Sequence, residues 1–193
     1  MRKYLLHILI LLFVFLYPQI TQHAEESRGI VPVHIKDKQG KQVGMYKGSH
    51  ALVVGVSDYT AGWPDLESIP GEIEQVEESL IEIGFNVEKI MNPDSEKLKK
   101  AYEKFINKYG YDENNRLLFF FSGHGHSRKK GKKGYLVPVD APDPVKDEKG
   151  FLRKALTMSD ILNLSKKMEA KHALFLFDSC FSGIIFKARA LPK

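Results

Sequence analysis

The sequence predicts an α/β fold in which helices cover both faces of a mostly parallel sheet. Three short segments support this prediction, because each is apolar at nearly every position: His50–Ser57, Arg116–Ser122 and His172–Asp178. A strand with one wet face alternates apolar and polar residues, whereas a strand buried on both faces reads as a continuous apolar run. Stretches with helical spacing lie between these runs, which is the order expected of an α/β domain.

The region between the first two runs predicts a helix, a strand and a second helix. From Gly71 onward, apolar residues fall three or four positions apart, and Gly84 stands where a glycine commonly ends a helix. Phe85–Ile90 is predicted to be a strand. Asp94 is a good N-cap for the second helix, whose apolar stripe continues to Gly110.

Two further elements are expected before the last apolar run. Gly134–Val139 is strand-like, and Pro138 within it favours an edge strand or one arm of a hairpin. Thr157 and Asp160 resemble a capping box with Asp in place of Glu, and therefore predict a helix start. The residues expected on the inner face of that helix are Ile161, Leu164 and Met168.

The N-terminal residues match the pattern of a secretory signal peptide. Two basic residues precede an apolar run from Tyr4 to Tyr17. The run is shorter than the roughly 20 apolar residues of a membrane-spanning helix, so no permanent membrane anchor is expected. We predict a signal peptide at residues 1–24, a polar leader at 25–48 and one domain at 49–193, in an exported protein that is periplasmic or secreted.

The formal net charge of +5 comes largely from the run SRKKGKKG at residues 127–134 and from a basic C-terminal end. Such a run can contact nucleic acid or an anionic surface. No aromatic residue stands between the lysines to stack on bases, so a solvated loop is the favoured interpretation. We therefore expect no nucleic-acid partner.

Polar, glycine-bearing segments follow two of the apolar runs, and they carry a histidine and the single cysteine. His124 lies between Gly123 and Gly125, and Cys180 follows the last run. Parallel strands bring both segments to one sheet edge, where an imidazole can take the thiol proton. The N–H groups of Gly125 and Cys180 are expected to bind a developing oxyanion. The alternatives are a buried core thiol, and a loop histidine or half of a metal site with His126.

Five segments together resemble the caspase and metacaspase (C14-type) peptidases, bacterial branch. They are ALVVGVSDY, PGEIEQVEESLIEIGF, FFFSGHG, GYLVPVDA and LFDSCFSG, in this order within about residues 48–186. A histidine roughly 50 residues before the cysteine is a described feature of caspases. The resemblance implies a caspase-like three-layer αβα sandwich and a cysteine endopeptidase with His124 and Cys180 as its dyad. It also implies Gly125 and Cys180 as the oxyanion donors.

The resemblance also suggests which substrates bind. Asp178 stands two residues before Cys180, where an acid in the first specificity pocket favours Lys or Arg at the cleaved bond. Asp58 is the expected second acid, and Ser122 is expected to line the same pocket. The alternative role for Asp178 is to cap nearby N–H groups at the end of its strand.

Members of this family continue with a part comparable to the caspase small subunit. We therefore expect that the chain lacks the C-terminal strands of the fold and that a small-subunit segment is a partner. A sheet ending at the cysteine strand has an unpaired edge, which predicts poor stability or self-association. The alternative function is a catalytically inactive interaction module or fragment.

No cofactor is expected. Calcium is the alternative, because relatives often need it and four acids follow the GYLVPV strand. Their spacing matches no strict calcium loop, so a solvated loop is favoured. The four acids are Asp140, Asp143, Asp147 and Glu148.

Overall fold

The structure is a computed structural model that describes residues 34–36, 38–40, 42–128, 131 and 133–179. The predicted signal peptide, part of the predicted leader and Cys180 lie outside these residues. The strands are β1 His34–Lys36, β2 Gln42–Met45, β3 Gly48–Gly55, β4 Asn86–Met91, β5 Asn115–Ser122, β6 Gly125–Arg128, β7 Lys133–Leu136, β8 Leu156–Thr157 and β9 His172–Asp178. The helices are α1 Ile69–Glu82, α2 Ser95–Tyr109, α3 Glu148–Lys154 and α4 Met158–Ser165.

The main sheet has four strands in the order β4-β3-β5-β9, and every neighbouring pair is parallel. The predicted parallel sheet is therefore confirmed. Because all four strands run in one direction, their carboxyl ends lie along a single edge. The segments that leave β3, β5 and β9 start from that edge.

Helices pack on both faces of this sheet. On one face, Ile73 and Leu80 of α1 pack with Ala51 and Val53 of β3. On the other, a larger core joins α2 and α4 to β3, β5 and β9, with Phe105 and Phe119 fully buried near its centre. Burying each such side chain stabilises the fold by roughly 1.5–3 kcal/mol. The predicted three-layer αβα sandwich is confirmed.

The last strand differs from its prediction on one face. Leu174 and Leu176 are 52% and 42% exposed, although the apolar run of β9 predicts burial on both sides. The contacts of α1 with the sheet are to β3 and β4, so this helix does not cover the β9 end of its face. Phe175 and Phe177 point to the opposite face and pack against the larger core.

The helix starts follow local signals. Asp94 caps α2 by accepting the N–H of Lys97 at 2.8 Å, and Thr157 and Asp160 form the predicted capping box of α4. Helix α1 begins at Ile69, two residues earlier than Gly71, because Pro70 fits the first turn of a helix. Met168 lies beyond the end of α4 but still packs against the core.

Two small antiparallel sheets accompany the main one. Strand β7 pairs with β6 and β8, so the hairpin predicted around residues 134–139 is present and Pro138 lies just outside it. Strands β1 and β2 form a hairpin inside the range predicted as a polar leader. Among the helices that the structure describes, none has the length and apolar character to cross a membrane.

Candidate active site

Three strand ends lie side by side at the carboxyl edge of the main sheet. Ser122 is in register with Gly55 on one side and with Asp178 on the other. The next backbone bonds continue this alignment, since Val56 N–H donates to the Ser122 carbonyl at 2.9 Å and Gly123 N–H donates to the Asp178 carbonyl at 3.2 Å. The residues that follow β5 and β9 therefore leave the sheet next to each other.

His124 follows β5 by two residues and is held at both its backbone and its ring. Its N–H donates to the hydroxyl oxygen of Tyr59 at 2.7 Å. Its ring Nε2 lies 2.8 Å from the carbonyl oxygen of Pro64. A carbonyl only accepts, so Nε2 carries the hydrogen and Nδ1 of the neutral ring keeps a free lone pair. Nδ1 is thus the atom that can accept a proton.

The loop between β3 and α1 supplies these partners, and several bonds fix its path. Tyr59 N–H donates to the Asp65 carboxylate at 2.7 Å, and Leu66 N–H donates to the Ser57 carbonyl at 2.9 Å. Thr60 N–H bonds the Val139 carbonyl at 2.9 Å. The rings of Tyr59 and Trp63 lie 4.7 and 5.1 Å from the imidazole of His124, measured between centroids.

Gly123 lies in a tightly packed part of the loop. A Cβ on Gly123 would lie 3.0 Å from the Tyr59 hydroxyl and 3.1 Å from Val56. A side chain at position 123 would therefore require these neighbours to shift by a few tenths of an ångström. Gly125 begins β6 opposite Leu136, and its role as an oxyanion donor stays a prediction.

Cys180 lies just beyond the last residue that the structure describes, so its sulfur is not located here. Asp178 ends β9, and Cys180 is two residues further on. His124 is likewise two residues beyond Ser122, which is the partner of Asp178 in the sheet. The dyad of His124 and Cys180 remains a prediction.

An acidic cluster made of Glu72, Ser122 and Asp178 lies at the same edge. The hydroxyl of Ser122, which is 2% exposed, donates to the Glu72 carboxylate at 3.2 Å. The carboxyl group of Asp178 lies close enough to that of Glu72 to affect its pKa. Burial raises the pKa of Glu72, and the charge of Asp178 raises it further. The cluster therefore disfavours the ionised form of Glu72.

Sequence reasoning did not find Glu72 as a site residue. It lies in the first turn of α1, the helix that follows the carboxyl end of β3. A helix that follows a strand of a parallel sheet begins near the edge where ligands bind. The acidic residue in the first turn of α1 was therefore the sequence feature that could have indicated this site residue.

Asp58 follows the end of β3 by three residues, and its carboxylate is hydrogen-bonded to two neighbouring side chains. Its carboxylate accepts from the Asn92 amide at 2.8 Å and from the Ser57 hydroxyl at 3.0 Å. Asn92 follows β4 in the left-handed conformation, and its own amide oxygen accepts the N–H groups of Ser57 and Asp58. The structure brings Ser122 and Asp178 together with Glu72, while the hydrogen bonds of Asp58 are to Ser57 and Asn92, and its role in the pocket stays a prediction.

The second histidine of the loop packs among rings. His126 lies 5.1 Å from Phe151 and 6.1 Å from Trp63 between ring centroids. Burial, followed by the charge of Arg128, lowers the pKa of His126. Over the described ranges, no cluster of His, Cys, Asp or Glu has the arrangement of a metal site.

The acids that could suggest calcium have other partners. Asp140 accepts the Ser95 N–H at 2.8 Å and pairs with Lys154 at 2.9 Å. Asp147 caps α3 through the Gly150 N–H, and Glu148 pairs with Arg128. Asp143 accepts the N–H of Val145 at 2.9 Å.

Comparison with protein families gives one match that covers most of the chain. The model of the C14 peptidase caspase domain matches residues 49–190, a range that includes both His124 and Cys180.

Two curated relatives are mammalian. The chain is 25% identical to human mucosa-associated lymphoid tissue lymphoma translocation protein 1 over 134 residues, which is 69% of this chain and 15% of that protein. The mouse homologue is 25% identical over 149 residues, which is 76% of this chain and 16% of that protein. The chain thus corresponds to less than a fifth of the length of either relative.

One solved structure shares the fold. The crystal structure of protein GSU0716 from Geobacter sulfurreducens superposes with a TM-score of 0.52 at 20% identity. The similarity covers 70% of this chain and 52% of that one. At this identity the likeness extends to the fold alone.

Proposed function

Because the chain belongs to the caspase domain family of C14 peptidases, we propose that it is a cysteine endopeptidase that cleaves protein substrates after Arg or Lys. Cys180 is the nucleophile and His124 is its base. The observation that carries the proposal is the bond from His124 Nε2 to the Pro64 carbonyl, 2.8 Å long, because it leaves Nδ1 free to accept a proton.

The sheet register supports the pairing of the two residues. Ser122 and Asp178 face each other on adjacent strands, and His124 and Cys180 each follow two residues later. Adjacent strands are separated by roughly 4.8 Å, which is a distance that two side chains at their ends span easily. A thiol and an imidazole at such positions are the components of nucleophilic catalysis by cysteine.

The reaction follows from these groups. Nδ1 of His124 removes the proton of the Cys180 thiol, and the thiolate forms a bond to the scissile carbonyl carbon. The N–H groups of Gly125 and Cys180 are the proposed donors to the resulting oxyanion. The imidazolium then gives its proton to the leaving amine as the C–N bond breaks. Water, deprotonated by the same imidazole, releases the acyl group and restores the thiol.

The acidic cluster of Glu72, Ser122 and Asp178 supports the choice of a cationic side chain. Two neighbouring carboxyls favour binding of an Arg or Lys side chain, because the cation compensates the negative charge that they place at the site. An acidic side chain of a substrate would add a third negative group and be repelled. We propose Glu72 in place of Asp58 as the second acid of the pocket.

Hydrolysis of fluorogenic peptides tests the proposal. The purified chain is assayed with otherwise identical peptides that end in Arg, Lys or Asp before the fluorophore. We expect cleavage of the Arg and Lys peptides, loss of that cleavage in Cys180→Ala and His124→Ala, and retention of it in the matched control His126→Ala. Cleavage that is equal in wild type and Cys180→Ala contradicts the assignment, as does the lack of any Cys180-dependent cleavage.

One observation favours a second candidate function, a catalytically silent module that associates through β9. In the described part of the chain β9 pairs with β5 on one side only, and its Leu174 and Leu176 are exposed. Exposed apolar side chains on an edge strand promote association. Sedimentation of the wild type and of Leu174→Lys tests this: self-association that the lysine abolishes, together with no hydrolysis, supports the module.

A further inference from the structure

The indole ring of Trp63 packs on the imidazole ring of His124, close enough to attract a positive charge on the imidazole. The two ring centroids are 5.1 Å apart and the ring planes are inclined by 35°. Tyr59 lies 4.7 Å away at 48°. A cation within about 6 Å of an aromatic centroid is attracted to the ring, and tryptophan gives the strongest attraction of the three aromatic side chains.

The indole of Trp63 is not explained by packing alone. Its Nε1 is buried and has no hydrogen-bond partner among the described residues. A buried donor without a partner is destabilising, and a phenylalanine at this position would pack on the same neighbours without one. Phe151 lies 6.3 Å from the indole between ring centroids and offers it no hydrogen-bond acceptor.

Of the two histidines near Trp63, His124 lies nearer, with its ring centroid 5.1 Å from that of the indole against 6.1 Å for His126. The neighbouring His126 has a pKa lowered by burial and by Arg128, which favours its neutral form. Burial raises the pKa of Tyr59, so its hydroxyl stays protonated. The Asp65 carboxylate on the same loop is bonded to the Tyr59 N–H.

Trp63 and the acceptor of the imidazole are also adjacent in the chain. Pro64 follows Trp63 and its carbonyl accepts the Nε2 hydrogen of His124. A hydrogen bond becomes stronger when the donor is charged. Protonation of His124 therefore strengthens both contacts from this loop, the bond to the Pro64 carbonyl and the contact with the indole ring.

Building on the proposed dyad, we infer that Trp63 is a positioning residue that stabilises the protonated form of His124 and, through it, the thiolate of Cys180. The proton that leaves the thiol stays on the imidazole beneath the indole, so no other reactant takes part. Removal of the indole then makes the thiolate form only at higher pH.

The rate at which iodoacetamide alkylates Cys180, measured against pH, tests this inference. The readout follows the thiolate and does not require peptide hydrolysis. We expect Trp63→Leu to move the rise of the alkylation rate upward by about 0.5–1 pH unit, and Trp63→Phe by less, because phenylalanine attracts cations more weakly. The matched control is Phe151→Leu, which alters the same ring cluster without touching His124.

A double-mutant cycle separates this inference from the function on which it rests. We expect Trp63→Leu to shift the alkylation profile when His124 is present and to have no effect in combination with His124→Ala. An equal shift in both backgrounds, or no shift in either, overturns the role of Trp63. If His124→Ala itself leaves the profile unchanged, the dyad fails, and the role of Trp63 fails with it.

Thermal unfolding gives a second, independent readout. Trp63→Phe removes the buried unpartnered donor, so we expect its midpoint to equal or exceed that of the wild type while its alkylation profile still shifts. A purely structural indole predicts the reverse, a lower midpoint with an unchanged profile. That result overturns the inference even if Trp63→Leu does not fold.

Discussion

At the carboxyl edge of the main sheet, the carboxyl group of Asp178 lies close enough to that of Glu72 to raise its pKa, although more than 100 positions separate the two residues in the chain. Ser122 pairs with Asp178 in the sheet, and its hydroxyl donates a hydrogen bond to the Glu72 carboxylate. The charge of Asp178 disfavours the ionised form of Glu72. Several predictions about substrate choice and pH depend on this pair.

The first prediction concerns which acids select the substrate. Glu72→Gln and Asp178→Asn should each raise KM for an Arg-ended peptide and lower kcat/KM by about 10-fold or more, because each removes a charge that faces the cation. Asp58→Asn is the matched control, since Asp58 is bonded to Asn92 and Ser57 instead. Steady-state kinetics with all three variants decides between Glu72 and Asp58, and an effect confined to Asp58→Asn assigns the pocket to Asp58.

The second prediction concerns pH. The pKa of Glu72 lies above its ordinary value of 4.5, so Glu72 keeps its proton into less acidic solution and must lose it to add a charge that binds a cation. The ratio of kcat/KM for an Arg-ended peptide to that for its uncharged citrulline analogue should therefore rise as the pH rises above 4.5. Titration of the dyad affects the cleavage of both peptides equally, so it cancels in this ratio. In Glu72→Gln this rise should flatten, and an unchanged rise there contradicts the role of the pair.

The third prediction concerns stability. A group whose folded-state pKa is raised stabilises the fold below its unfolded pKa, and that contribution is lost as the pH rises through the folded value. Glu72→Gln keeps a donor for Asp178 but adds no charge. Its melting temperature should therefore increase relative to the wild type between pH 4 and pH 8, measured by circular dichroism. A relative decrease over that interval means that the two carboxyls do not repel each other in the fold.

The fourth prediction concerns the Tyr59 hydroxyl. Tyr59→Phe leaves the His124 N–H without its acceptor, so we expect about 1–3 kcal/mol lower stability and a lower kcat. The control is Tyr102→Phe, because the buried Tyr102 hydroxyl has no partner among the described residues and its removal should be neutral or stabilising. Chemical denaturation of both variants measures the difference, and equal losses indicate that the bond to His124 is not responsible.

The fifth prediction concerns Asn92, which joins the ends of β3 and β4. Its side chain accepts from Ser57 and Asp58 and donates to Asp58, and its φ of 50° is unusual for a residue other than glycine. Asn92→Ala should lower stability by about 1–3 kcal/mol. Asn92→Gly relieves the backbone but not the lost bonds, so it should recover part of the loss. Full recovery would show that the bonds contribute little.

Elements with strong local signals could be predicted from the sequence. The strand His172–Asp178 has the predicted bounds, and the second helix begins after Asp94 and ends before Gly110, as the N-cap and the apolar period indicate. The edge that carries His124 followed from the direction of parallel strands. In each of these cases, the determining contacts lie within a few residues along the chain or repeat along one strand.

Features that depend on distant contacts could not be predicted in this way. Glu72 meets Asp178 only because α1 starts at the edge where β9 ends, and the sequence between them does not encode that distance. The role of the Pro64 carbonyl could not be predicted either. Every residue has a carbonyl group, and only the path of the loop places this one against His124. The exposed face of β9 was not predicted, because an apolar run indicates a buried strand but does not show whether a helix covers each of its faces.

The acceptor that orients His124 is a main-chain carbonyl, so the mutations that disrupt this bond differ from those that would disrupt a bond to a side chain. Replacing the side chain at position 64 leaves a carbonyl in place, so single substitutions there are expected to be tolerated as long as the backbone keeps its course. Adding or deleting one residue between Asp58 and Leu66 would displace that carbonyl from Nε2 and free the ring to adopt its other tautomer. The ring's chemistry is therefore sensitive to the length of this loop more than to its composition.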